Sequence, residues 1–182
     1  MSKIALTGDA SGTGTLTIAA PNTNTDRTLT LPDEAGTVLT SASNITAQAM
    51  NGPAFSATGS TSVASSTLTK LTPNTEQFDT NSNYDNSTNY RFTPTVAGYY
   101  QLSYGMRLAT AATAYIVLWK NGANISYAGS QSNGATMTLY TSSVLVYANG
   151  STDYFELYGA HFSGATQSIS EIYFTGALVR AE

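Results

Sequence analysis

The chain has 182 residues, of which 41% are hydrophobic and only 10% are charged. This apolar fraction is too high for an intrinsically disordered chain, and the length fits either one ordinary domain or one domain with a small attached segment. The net charge is −4 with 7 Lys and Arg, so no basic patch is available for nucleic-acid phosphates. Because Cys is absent and no apolar run reaches about 18 residues, we expect no disulfide, no thiolate chemistry and no membrane insertion.

Residues 1–41 are predicted to form a short β-rich segment. Apolar and hydroxyl-bearing residues alternate in 12–19 and 27–31, a third short strand follows at 37–40, and Pro-containing turns connect the three. Three strands of about five residues bury too little apolar surface to fold alone. We therefore expect this segment to assemble with copies of itself or to dock on a partner protein. The candidate docking residues are Leu16, Ile18, Leu29, Leu31 and Val38.

Residues 42–51 are interpreted as a linker, and residues 52–182 as a second β domain. Helical periodicity is nearly absent there, whereas β-branched and aromatic residues alternate between Gly- and Asn-rich turns. Asn-Gly pairs at 121–122 and 149–150 are typical of two-residue hairpin turns. The pattern predicts an all-β, ten-stranded sandwich of jelly-roll type. The predicted strands are 54–58, 63–71, 77–80, 90–93, 98–108, 114–120, 123–127, 137–147, 153–161 and 171–179.

Several motifs of the second domain resemble the C1q/tumour-necrosis-factor-like family. The opening strand GPAFSA at 52–57 is followed by an Asp-containing loop and an RFTP element within 78–94. The strand AGYYQLSY at 97–104 has Leu102 where the family usually has Phe, and IYFTGALV at 172–179 resembles the closing strand. The resemblance implies a C1q-like jelly-roll head that assembles as a homotrimer.

Tyrosine is frequent in the second domain. The sequence holds 12 Tyr, which is more aromatic surface than one small sandwich core usually absorbs. A tyrosine-lined axial interface of the implied trimer would use both the rings and the hydroxyls. The alternative is that these rings fill the core and rim of a single sandwich. The candidate trimer-interface residues are Tyr99, Tyr104, Tyr115, Tyr158 and Tyr173.

The strand-turn-strand pattern of the N-terminal segment is similar to a module of bacteriophage virion proteins. It is carried by TLTIAAP at 15–21 and TLTLPDEAGTVL at 28–39. The two resemblances together imply a non-enzymatic, homotrimeric structural protein of a virion surface, either a head or tail fibre, a spike or a decoration protein. Its N-terminal segment would anchor on capsid or tail proteins, and its head would project outward. We expect it to be assembled in the host cytoplasm and exposed on the particle.

A receptor-binding fibre tip is the alternative function. Binding sites commonly lie on loops held by a rigid scaffold. The loops at 81–88, 127–135 and 162–168 would then contact a host surface glycan or protein. A polysaccharide-cleaving spike is a third hypothesis, and it requires two convergent carboxylates.

The residue pattern does not indicate an enzyme or a cofactor. The single histidine, His161, has Glu156 five positions away on the same predicted strand, a spacing that gives no evidence of a catalytic triad. Asp33 and Glu34 are adjacent and would point to opposite faces of a strand. Asp153 and Glu156 also differ in parity and would not converge. We therefore predict a structural histidine and no catalytic residues.

One stretch has spacing similar to a metal-binding loop. The oxygen-bearing residues Asp79, Asn81, Asn83 and Asp85 alternate like the start of a calcium loop. However, Tyr84 occupies the position at which an EF-hand requires Gly. Turn formation is the favoured role, with calcium binding as the alternative.

Overall fold

The computed structural model describes residues 11–14, 24–26, 28, 52–130 and 138–182. The chain divides into two units, Met1–Thr40 and Ser41–Glu182. Most of the predicted segment 1–41 and the whole predicted linker 42–51 lie outside the described residues. Their boundaries and strands therefore stay predictions.

The described part of the second unit contains eleven β-strands, which form two antiparallel sheets. Sheet I has the order β3-β1-β11-β6-β9, and sheet II has the order β4-β5-β10-β7-β8 with β2 paired to β10. These two sheets confirm the all-β sandwich prediction. The strands are β1 (Ala54–Val63), β2 (Thr69–Lys70), β3 (Thr75–Asp79), β4 (Tyr84–Asp85), β5 (Arg91–Phe92), β6 (Ala97–Leu108), β7 (Ala114–Lys120), β8 (Ala123–Ser130), β9 (Thr138–Asn149), β10 (Phe155–His161) and β11 (Gln167–Ala181).

Apart from shifts of several strand ends, the described strands differ from the ten predicted ones in two places. The continuous strand predicted over 63–71 is wrong, because β1 ends at Val63 and Ser66 turns the chain with a φ of 61°. Only the two residues of β2 pair again, on β10. The second difference is β4, a two-residue strand that pairs with β5 and has no sequence signal of its own.

Period-two alternation in β6 shows how the sequence builds the core. Tyr100, Leu102 and Tyr104 are fully buried between the sheets, whereas Tyr99 and Gln101 point outward. A strand places successive side chains on opposite faces. The alternation of residue types along β6 therefore decides which side chains enter the core and which lie on the outer surface.

An aromatic cluster fills one end of the core around Phe55. Its ring stacks on Phe92 with 4.3 Å between centroids and on Tyr84 with 4.9 Å, and it meets Phe174 edge to face at 4.9 Å. The Tyr84 hydroxyl donates to the Pro73 carbonyl at 2.8 Å, so its burial leaves no unpaired polar group. These rings join β1, β4, β5 and β11 in one packed unit.

Candidate functional site

The outer surface of sheet I, which we call face I, carries exposed apolar side chains. The register of β6 with β9 places Tyr99 opposite Tyr147 and Gln101 opposite Leu145. The rings of Tyr99 and Tyr147 contact each other with 5.6 Å between centroids. Leu145 is 55% exposed, and Leu139 at the other end of β9 is also more than half exposed. Exposed apolar groups that share one sheet face mark an interaction surface.

The centre of face I is polar. Ser143 Oγ accepts from Gln101 Nε2 at 2.6 Å and lies 2.8 Å from Ser103 Oγ. Gly105 lies under the ring of Tyr173, where any Cβ would meet that ring at 2.4 Å. Face I therefore has hydroxyl and amide groups and the Tyr173 ring in its middle, with the apolar residues at either end.

The five predicted interface tyrosines do not share one surface. Tyr99 and Tyr173 lie on face I. Tyr115 and Tyr158 lie on the outer surface of sheet II, which we call face II. Tyr104 is fully buried in the core, as the alternative interpretation of the tyrosines has it, and offers no surface to a second chain. For Tyr99, Tyr115, Tyr158 and Tyr173 a role in a trimer stays a prediction. Of these four, only Tyr99 and Tyr173 could take part in a contact through face I.

The sequence-based candidates omit Leu139 and Leu145, although the sequence contains a signal for them. Apolar residues of β9 occupy both parities: Leu145 and Tyr147 on one side, Val144 and Val146 on the other. A strand that is apolar on both sides is typical of a strand covered on both faces. The residue pattern of β9 therefore makes its outer side, on face I, a candidate interaction surface.

Face II carries several aromatic rings in mutual contact. The Trp119 ring packs on Tyr158 with 4.5 Å between centroids, and Tyr115 contacts Tyr127 and Phe162 at 6.4 and 6.1 Å. Face II therefore presents a mainly aromatic surface, whereas face I combines tyrosine rings with the aliphatic side chains of Leu139 and Leu145.

The candidate anchoring residues lie outside the described part of the chain. Their role in docking on a virion stays a prediction. These residues are Leu16, Ile18, Leu29, Leu31 and Val38.

The oxygen atoms of the calcium alternative are bonded within their own turn. Asp79 accepts from the backbone N–H of Asn81 at 3.3 Å and from that of Tyr84 at 2.7 Å. The Asn83 amide donates to the Asn81 carbonyl at 3.0 Å, and its oxygen accepts from the backbone N–H of Thr95 at 3.0 Å. Within the described residues, no group of three or more His, Asp or Glu side chains is placed to hold a metal ion. These contacts support turn formation.

Asp85 organises the next turn with five hydrogen bonds. It accepts from the backbone N–H groups of Thr88, Ser87 and Asn89 at 2.9, 3.0 and 3.0 Å. The Ser87 hydroxyl and the Asn89 amide donate to it as well, at 3.2 and 2.7 Å. The bonds from Thr88 and Ser87 hold the pKa of Asp85 well below its usual range.

We expect Asp85→Asn to lower the free energy of unfolding by about 1 kcal/mol at pH 7, because the amide loses the charge-assisted acceptor of this turn. The folded-state pKa lies below the unfolded value of about 4, so the stabilisation is present above pH ~4 and is lost as pH falls below it. Urea unfolding of both proteins between pH 7 and pH 2 measures this, and the two midpoints should converge at the acidic end. A constant gap at all pH values would contradict the assignment.

A polar cleft of about 320 Å³ opens beside these turns, where β4 and β5 meet the preceding loop. The register places Asp85, Arg91 and Glu156 directly opposite one another on adjacent strands. The Arg91 guanidinium carbon lies 4.5 Å from the centroid of the Tyr154 ring. Side chains that line the cleft include Ser82, Asn83, Asp85, Asn89, Arg91 and Thr93.

The groups considered for catalysis are engaged elsewhere. His161 is fully buried, with Nε2 2.8 Å from the Val63 carbonyl and Nδ1 3.1 Å from Ser163 Oγ. Glu156 pairs with Lys70, while Asp153 pairs with Lys120 at 2.8 Å. The two carboxylates therefore bind different lysines and do not converge. Asp33 and Glu34 lie outside the described residues.

The described residues contain no helix with the length and apolar character of a membrane-spanning helix. This finding concerns helices alone.

The fold is similar to several solved structures. The globular domain of zebrafish complement 1qA protein shares 16% identity and superposes with a TM-score of 0.57, covering 71% of this chain and 99% of that one. The PRD1 vertex protein P5 shares 19% identity with a TM-score of 0.56, over 71% of this chain and 74% of that one. Murine APRIL shares 9% identity with a TM-score of 0.56, over 70% and 99%. At these identities the likeness concerns the fold.

No curated protein sequence matches this chain. The sequence profile of the C1q domain, in contrast, matches residues 54–179, which span nearly the whole described sandwich from β1 to β11. The motifs of β5 and β6 and of the closing strand fall within that range, as does the opening motif from Ala54 onward. The chain therefore belongs to the C1q domain family.

Proposed function

We propose that this chain is a non-enzymatic structural protein of a phage virion surface that assembles as a homotrimer through face I. The observation that carries the proposal is the exposed apolar surface formed by Tyr99, Leu139, Leu145 and Tyr147. A rigid sandwich that leaves such groups in water gains stability when a second copy covers them.

The position of these residues suits a closed ring of three copies. They lie on β6 and β9, and β9 is an edge strand of sheet I. Trimer closure would shield this edge from unwanted strand pairing as well as cover the apolar residues. The C1q/tumour-necrosis-factor-like relatives of this fold are homotrimers, which supports the same assembly.

Two observations support a virion role. One neighbour in fold is the vertex protein P5 of phage PRD1. The charged fraction of 10% is low, and a surface hydrated by hydroxyl and amide groups suits a rigid, closely packed particle. In this proposal the N-terminal segment docks on a capsid or tail protein, and the C1q-like head projects from the particle.

Light scattering of the purified chain across a dilution series tests the assembly. We expect a mass near three times 19.1 kDa that persists on dilution. A mass of 19.1 kDa at all concentrations would contradict the trimer. Gold-labelled antibodies against the head, applied to purified phage particles, test the location, and unlabelled particles would contradict it.

Receptor binding remains the second candidate, supported by the polar cleft beside the turns of residues 79–89. The predicted receptor-contacting loop 81–88 contributes to this cleft. A fibre tip that recognises a host surface glycan or protein needs such a concave site on a rigid scaffold.

A further inference from the structure

The guanidinium of Arg91 has an unusual environment for a half-buried cation. It stacks on the Tyr154 ring, and within the described residues it makes no hydrogen bond or ion pair. The acid directly opposite on β10, Glu156, binds Lys70 instead. The planar fork of N–H donors is therefore held in place by the ring and remains available to a ligand.

The other groups of the cleft leave more donors than acceptors for a ligand. Both oxygens of Asp85 are occupied by the five donors of its own turn. The side-chain oxygen of Asn83 accepts twice from Thr95. In contrast, the hydroxyls of Ser82 and Thr93 have no hydrogen-bond partner in the described part of the chain.

We propose that this cleft binds the carboxylate of an acidic saccharide, with Arg91 as the bidentate partner. A carboxylate presents two acceptors in the geometry of the guanidinium fork. The hydroxyls of Ser82 and Thr93 would bond the neighbouring hydroxyls of the sugar. Every residue that lines the cleft carries a hydroxyl, amide or charged group, and such groups suit the hydroxyls of a saccharide. The site needs residues of one chain, so it depends neither on the trimer nor on the virion location.

Saturation-transfer NMR on the sugar protons tests the site, with glucuronic acid as the acidic probe and glucose as its neutral match. We expect saturable transfer to glucuronic acid and binding of glucose that is weaker by about tenfold or more. Arg91→Gln should weaken glucuronic acid binding by about tenfold. Arg91→Lys keeps the positive charge but loses the planar fork of donors. Its affinity for glucuronic acid should therefore lie between that of the unmodified protein and that of Arg91→Gln.

Arg180→Gln is the matched control, because it removes the same charge from an exposed position on sheet I. Its affinity for glucuronic acid should equal that of the unmodified protein. Thr93→Val provides a second test that keeps Arg91, and it should also weaken binding. Circular dichroism and native mass must be unchanged in each variant. The proposal is overturned if glucuronic acid fails to bind, if glucose binds equally well, or if Arg91→Gln binds like the unmodified protein.

Discussion

Replacing Leu145 with Lys is expected to convert the proposed trimer into a 19.1-kDa monomer while leaving the head folded. Leu145 is 55% exposed in the single chain and projects from face I beside the Tyr99–Tyr147 pair. In the proposed trimer this position is covered by another copy. An unpaired ammonium group buried there costs several kcal/mol, and the cost arises three times in each trimer.

Tyr127→Lys is the matched control for this experiment. Tyr127 is 59% exposed, but it lies on β8 in sheet II and therefore away from face I. Light scattering should give the mass of a trimer for Tyr127→Lys and that of a monomer for Leu145→Lys, with the same circular dichroism for both. The assignment of face I fails if Leu145→Lys stays trimeric, or if Tyr127→Lys dissociates instead.

The sandwich itself was predictable from the sequence, because its strands obey period two. In β6 the alternation of Tyr100, Leu102 and Tyr104 with outward residues fixes the core without any long-range information. The break at Ser66 was not predictable in this way. Its left-handed φ is set by the return of the chain to β10, where Ser66 N–H donates to the His161 carbonyl at 2.7 Å.

Period two by itself places Tyr99 and Tyr104 on opposite faces of β6, so a shared interface for these two was excluded by the sequence. The division of the other tyrosines between the two sheets could not be predicted, because it depends on which sheet each strand joins. Tyr99 and Tyr115 lie on strands of similar composition, yet β6 belongs to sheet I and β7 to sheet II. The strand order follows from long-range pairing that no local pattern encodes. A count of tyrosines therefore indicated surplus aromatic surface and left its location open.

The polar cleft was hidden from sequence reasoning for a related reason. Arg91 is an isolated cation in the sequence, and the Asp79-x-Asn81-x-Asn83-x-Asp85 spacing favoured either a turn or a calcium loop. Only the pairing of β4 with β5 brings the turn residues beside Arg91. The hydrogen bonds distinguish this site: the carboxylate of Asp85 accepts from five donors of its own turn, whereas the guanidinium of Arg91 makes no hydrogen bond within the described residues.

Phe55→Ala should lower the free energy of unfolding by about 3–5 kcal/mol, a larger loss of stability than that expected for Asp85→Asn. Phe55 is 0% exposed and contacts the rings of Phe92, Tyr84 and Phe174. Its ring also lies against Gly176 on β11, where a Cβ would meet it at 2.7 Å. Removing the ring leaves a cavity between strands that are distant in sequence, and the surrounding rings cannot collapse into it fully.

Phe162→Ala separates this effect from the mere loss of an aromatic side chain. Phe162 contacts Tyr115 of face II, away from the proposed trimer contact, and its ring is 50% exposed. Its replacement should change stability by no more than about 0.5 kcal/mol. Urea unfolding at one fixed protein concentration compares the two variants, because dissociation of the proposed trimer makes the midpoint depend on concentration. Equal losses for both variants would mean that the aromatic cluster does not hold the sandwich together, and that the stability resides in the hydrogen-bonded sheets.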